Sequence, residues 1–195
     1  MAANYRGFSL VELLVTMAIF AMLLALGAPA MSQYLANDKV RAMASNFLAS
    51  VQTARVESIK RNGGAELILT SDSAVLANVD TVNLTTSGPN WIVRVQPVGL
   101  LTRTCVHGFN GSEGSLSNGA NSVVVTGSAT TLKFDGLGAT TGTATFSFTN
   151  PAGGACVTGS DTGKVRCLDV RISASGQAQL CDPTITAVGD SRHCN

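Results

Sequence analysis

The sequence predicts an α+β domain joined to a long N-terminal helix, and three observations carry that prediction. Residues 13–37 contain no charged side chain. Residues 40–59 then repeat apolar side chains at steps of three and four, the period of a helix with one buried face. Beyond Gly64 the chain changes to short β-prone runs separated by Gly, Ser, Asn and Pro, which is the pattern of an antiparallel sheet with hairpins.

The uncharged run is long enough to cross a bilayer, which takes roughly 20 apolar residues. One carboxylate, Glu12, stands at its head. Further along, Val40, Met43, Ala44, Phe47, Val51, Ala54, Ser58 and Ile59 form the stripe expected to pack on a sheet. Asp38, Lys39, Arg41, Gln52, Arg55 and Lys60 mostly take the other faces. Lys60 and Arg61 suit a C-terminal turn, and Asn62-Gly63-Gly64 is a strong stop. Gly27 and Pro29 predict an interruption, because proline removes one donor and clashes with the carbonyl four residues back. The expected strands are 66–70, 91–95, 123–126, 132–134, 144–148, 165–172 and 177–181. Residues 108–119, rich in Gly, Asn and Ser, are expected to form an exposed loop.

Composition narrows the function classes. Charged residues make up 13% of the chain and the net charge is +1, so no bulk charge points to nucleic acid or to a membrane surface. The five cysteines, Cys105, Cys156, Cys167, Cys181 and Cys194, all follow the apolar run. Such clustering in a Gly/Ser/Thr-rich region reads as disulfides in an oxidising compartment such as a bacterial periplasm, with one thiol left over. Cys167 and Cys181 would face each other if the last hairpin turns through residues 173–175. Cys194 would instead let Cys181 tie down the tail, and Cys156 is a further partner for Cys167 or Cys194. With two histidines and no Cys-x-x-Cys, no metal site is expected. His107 has no nucleophile context and reads as a surface residue; Gly-x-Ser-x-Gly and phosphate loops are absent. The reading is therefore a non-enzymatic protein without a cofactor.

The N-terminus adds specificity. A secretory signal peptide is cut after its apolar core, whereas here the small residue suited to a cut, Gly7, precedes the run. Gly7-Phe8-Ser9-Leu10-Val11-Glu12 resembles the class III leader of type IV pilins and type II secretion pseudopilins, and the resemblance extends over residues 6–30. It implies that a prepilin peptidase cuts after Gly7 and N-methylates Phe8. It also implies that Glu12 pairs with the N-terminal amine of a neighbouring subunit. A lone carboxylate in an apolar helix is costly unless paired, which agrees; the plainer alternative is a Glu12 tolerated by the dipole at the helix start.

Further along, Leu132-Lys133-Phe134-Asp135-Gly136-Leu137-Gly138, Arg166-Cys167-Leu168, Ser175-Gly176 and Leu180-Cys181 resemble short words of the GspH/FimT/FimU group of minor pilins and pseudopilins. That resemblance implies a pilin-like fold divided into a leader (1–7), an apolar helical half (8–33), an amphipathic half (34–62) and a periplasmic β-rich domain (63–195). It implies a tip or priming subunit, with other minor and major pilins, the prepilin peptidase and the inner membrane as partners. Arg6 suits a cytoplasmic leader. A type II secretion pseudopilin is one alternative. A DNA-binding minor pilin of natural transformation is another, although the basic Gly-Arg-x-Arg hairpin of such relatives is here Gly176-Gln177-Ala178-Gln179. Glutamines cannot neutralise phosphate, which leaves Lys164 and Arg166 as candidate weak contacts.

Overall fold

A computed structural model describes residues 9–74, 79–97, 99, 101–111, 123–157 and 163–194, with the side chains of 26–30 outside that set. A single helix, α1 (Leu10–Lys60), is followed by nine strands among the described residues. These are β1 (Ala65–Thr70), β2 (Ser87–Gly88), β3 (Asn90–Val95), β4 (Thr104–Phe109), β5 (Val124–Gly127), β6 (Thr131–Phe134), β7 (Ala144–Thr149), β8 (Leu168–Ile172) and β9 (Ala178–Cys181). The strands make two antiparallel sheets, ordered β4-β3-β1-β6 and β2-β5-β7-β8-β9, where the sequence had suggested one.

α1 is one helical element that includes Gly27 and Pro29. A proline removes a single donor from the ladder, and 51 residues of helix give the chain many bonds on either side with which to carry it. The helix stops where expected. Asn62 takes φ 57° and Gly63 φ 109°, and the Gly63 amide bonds back to the Ser58 carbonyl at 2.6 Å.

The lower half of α1 lies across both sheets. Val40, Ala44, Phe47, Val51 and Ala54 are fully buried in one core with Leu67 and Leu69 of β1, Trp91 and Val93 of β3, Phe146 and Phe148 of β7 and Val170 and Ile172 of β8. Phe47 is at its centre. Its ring lies 5.2 Å from that of Trp91, 4.7 Å from Phe146 and 5.4 Å from Phe148, so one side chain touches both sheets. Helix roll is fixed again by a polar contact, because the Trp91 indole N–H donates to Ser50 Oγ at 2.9 Å inside the core. A buried indole needs such a partner. Ile59 departs from the expected stripe and is 50% exposed. Its side chain lies beside the loop at Gly138 instead.

Two strands had not been expected. β2 is too short to leave a pattern. β4 takes Gly108 and Phe109 from the expected loop, and Phe109 stacks on Trp91 at 4.2 Å with 9° between the rings. Gly108 is placed where Ala74 closes over it, a Cβ there falling 3.1 Å from the Ala74 Cβ. The remainder of the expected loop, from residue 112, lies outside the described residues. The strand expected over 165–172 begins only at Leu168. Residues 164 and 165 hydrogen-bond instead to 155 and 157.

The other face of the first sheet carries Ile68 and Ile92, covered by Val79 and Val82. Beside them, Glu66 opposes Arg94 across the ladder. Arg94 Nη2 is 2.9 Å from Glu66 Oε2 and donates through Nη1 to the Val79 carbonyl at 2.6 Å. Lys133 and Arg103 approach the same carboxylate at 3.3 and 3.6 Å. Burial opposes ionisation of Glu66, but the Arg94 hydrogen bond and charge, with those of Lys133 and Arg103, outweigh it and hold the carboxyl below its ordinary value.

Two predictions follow from this packing. Phe47→Ala should cost about 4 kcal/mol, the range for losing a fully buried phenyl ring. Urea unfolding of the full chain in detergent micelles, read by the single tryptophan, measures it. For Glu66, a carboxyl that ionises more easily folded than unfolded adds stability above the unfolded value of about 4.5, and that stability is lost as pH falls through the lower folded value. Glu66→Gln should therefore cost about 3 kcal/mol at neutral pH, since Arg94 stays buried without its counter-ion. The gap from wild type should close in acid.

Candidate functional site

The N-terminal part of α1 stands away from the β-domain. Ser9 is extended (φ −75°, ψ 143°), its side chain makes no cap, and the first helical bond runs from the Leu13 amide to the Ser9 carbonyl at 3.2 Å. Glu12 falls in the first turn, where unpaired amides and the helix dipole favour an anion. Every described side chain from Ser9 to Leu35 is exposed, including Leu10 at 74% and Phe20 at 64%. Among the described side chains of α1, the first buried one is Ala36. The exposed arm from Leu10 to Leu35 is about 38 Å long at 1.5 Å per residue. A helix apolar on all sides normally lies in a core or a bilayer.

Gly7 and Phe8 lie outside the described residues, so the structure does not place the expected cleavage bond against Glu12. Among the described residues no helix is long and apolar enough to cross a membrane. The described side chains of the apolar run stop at Ala25 and resume at Met31. No three His, Cys, Asp or Glu side chains gather as a metal set among the described residues.

At the far end of the domain the cysteines pair as Cys156–Cys167 and Cys181–Cys194, with Cα separations of 5.4 and 5.1 Å. A bond from Cys167 to Cys181 is ruled out by register. The last hairpin turns through residues 174–176, one residue later than that bond required. The Ser173 amide donates to the Gln177 carbonyl at 2.9 Å, and Gly176 takes φ 74°. Cys181 therefore lies opposite Asp169. The second bond ties the tail beside β9, where the Asp182 amide donates to the Arg192 carbonyl at 2.8 Å and Gln179 Nε2 to the Ser191 carbonyl at 3.0 Å. Cys105 is the free cysteine, half-buried in β4 against the smaller core. Burial pushes its thiol up, opposed by a hydrogen bond from the His107 backbone. His107 itself is exposed on the same strand.

Lys164 and Arg166 precede β8 and flank the buried Val165. Arg166 is already engaged, with its Nε 2.6 Å from Asp182 Oδ2. Burial opposes ionisation of Asp182, but hydrogen bonds from Thr184 and Arg166 and the Arg166 charge hold its carboxyl below the ordinary value. The structure thus answers one of the two candidate phosphate contacts with a carboxylate.

Residues 2–28 match the prokaryotic N-terminal methylation motif. The fold resembles that of the type IV minor pilin FimU of Pseudomonas aeruginosa strain PAO1. One crystal form of that protein, in space group P21, is 15% identical with a TM-score of 0.50, over 76% of this chain and 92% of that one. A second, in P65, is also 15% identical with a TM-score of 0.46, over 74% and 94%. This chain carries the N-terminal methylation motif on a pilin-like fold. In this pilin-like chain the methylation motif ends within the exposed arm, and the fold of FimU corresponds to one helix packed on antiparallel sheets. Comparison with curated protein sequences gave no match.

Sequence reasoning did not reach the polar residues at the base of the arm, Gln33, Asn37 and Asn150. A hint was present in Gln33 and Asn37, two uncharged polar residues four apart on one helix face at the end of an apolar run.

The cysteine pattern is directly testable. Proteolysis without reductant should give two linked peptides, joining 156 to 167 and 181 to 194. Iodoacetamide should modify Cys105 slowly in the native protein and rapidly in denaturant. A peptide linking 167 to 181 would contradict the hairpin register.

Proposed function

We propose that this chain is a minor pilin of a type IV pilus, of the FimT/FimU/GspH type. It is made as a prepilin, cut after Gly7 and methylated on Phe8. Before assembly the arm holds it in the inner membrane with the β-domain in the periplasm. It then enters the filament, at or near the tip, alongside other minor and major pilins. The observation that carries this reading is the coincidence of the methylation motif with the exposed apolar arm of a pilin fold. Such an arm needs an apolar surrounding, supplied first by lipid and then by the arms of neighbouring subunits.

Glu12 has the central role in the second surrounding. In the first turn it is tolerated by the helix dipole, but inside a bundle of apolar helices its charge needs a partner. The methylated amine of a neighbouring Phe8 is the cation that processing creates. Gly27 and Pro29 mark the place where the helix can weaken or stretch as the filament forms. The ion pair of Arg166 with Asp182 weighs against a DNA-binding role through Lys164 and Arg166.

The test is made in cells that assemble the filament. Mass spectrometry of the mature protein should find Phe8 as the first residue, bearing one added methyl group. Gly7→Val should block cutting and leave the full-length form in the membrane. Glu12→Leu should be cut normally yet reach sheared filaments at a tenth of the wild-type level or less. A mature chain that still begins with residues 1–7 would exclude the reading.

A further inference from the structure

The last contacts that α1 makes before its arm begins form a closed ring of interactions. Gln33 and Asn37 lie one turn apart and reach the same extended segment. Gln33 Nε2 donates to the Lys164 carbonyl at 2.9 Å, and Asn37 Oδ1 accepts from the Arg166 amide at 2.7 Å. Val165, between those two residues, is fully buried. From the other side Asn150 Nδ2 donates to the Ala36 carbonyl at 3.5 Å. The 3₁₀ turn Pro151–Gly153 packs so closely that a Cβ on Gly153 would lie 2.7 Å from the Ala36 Cβ and 2.8 Å from Val165 Cγ2.

The two flanking segments are themselves joined. The Val157 amide donates to the Val165 carbonyl at 2.7 Å, and the Lys164 amide to the Ala155 carbonyl at 3.0 Å. Cys156–Cys167 closes the pair covalently. Gly163 sits against Cys156 with room for no side chain, since a Cβ there would meet the Cys156 carbonyl oxygen at 2.1 Å. The ring therefore runs from the helix at Gln33 and Asn37 to residues 164–166, through the disulfide to 155–157, and along 150–153 back to the helix at Ala36.

We propose that this ring is a clasp that sets the direction of the apolar arm relative to the β-domain, and that formation of Cys156–Cys167 closes it. Closure is a thiol–disulfide exchange: one S–S bond forms here and one breaks in a donor protein disulfide, which leaves as a dithiol carrying the two protons. Gln33 and Asn37 are positioning residues. Their amide side chains supply the acceptor and donor that 164–166 would otherwise lack at the helix surface. The inference does not depend on the filament reading, because it concerns one chain.

The experiment uses the full chain in detergent micelles, with keto-amino-acid spin labels at Leu24 on the arm and Thr143 on the β-domain, both exposed. Pulsed electron resonance reads the distance distribution between them. It should be narrow in the parent. It should broaden at least two-fold in Gln33→Ala/Asn37→Ala, which keeps both disulfides, and in Cys156→Ser/Cys167→Ser. It should stay narrow in Cys181→Ser/Cys194→Ser. Trp91 fluorescence reports whether each β-domain is folded. If Cys156→Ser/Cys167→Ser fails that check, Gln33→Ala/Asn37→Ala decides alone. A Gln33→Ala/Asn37→Ala distribution as narrow as the parent's, or a parent already as broad as the variants, would overturn the proposal.

Discussion

The ring of Phe47 is the constraint on which the rest of the structure depends. It is fully buried and touches Trp91 of one sheet and Phe146 and Phe148 of the other. Two sheets that share no ladder are thereby assembled around one helix side chain. The Trp91-to-Ser50 hydrogen bond, one turn further along, fixes the roll of the helix to the nearest residue. Once the roll is set, the positions of Val40, Ala44, Val51 and Ala54 follow from helical geometry.

The parts of the fold that were legible in the sequence are those where one periodicity dominates. The stripe from Val40 to Ser58 is continuous, and its burial matches the three-and-four spacing. Ile59 broke the pattern because burial depends on what lies opposite, and there it is the loop at Gly138. The strands that alternate cleanly, such as β7 with Ala144, Phe146 and Phe148 inward, could be read. β4 could not, because Gly108 and His107 dilute its alternation and its partner contact, the stack of Phe109 on Trp91, is made 18 positions away. The cysteine pairing turned on one residue of hairpin length. Composition could not supply that residue, and the positive φ of Gly176 did.

The functional segment divides in the same way. The motif around Gly7, Phe8 and Glu12 is local, so the methylation-motif match over residues 2–28 could be anticipated from consecutive residues. The base of the arm could not. Gln33 and Asn37 meet Lys164 and Arg166 across separations of 131 and 129 residues. Two amides four apart at the end of the apolar run hint at a contact, but not that their partners are backbone groups of a distant segment. Likewise, Arg166 could be counted as a cation from the sequence, but only the fold puts Asp182 against it.

The tail tied by Cys181–Cys194 has a consequence for how molecules of this kind meet. An exposed strand edge invites another strand to add to it. At one edge of the larger sheet, the tail pairs just past the end of β9, where the Asp182 amide donates to the Arg192 carbonyl. At the other edge, β2 is only two residues long and offers little to pair with. A chain that exposes a long apolar helix has to avoid sticking through its sheets as well. The larger sheet therefore offers little free backbone at either edge, while the apolar helix stays open to contact.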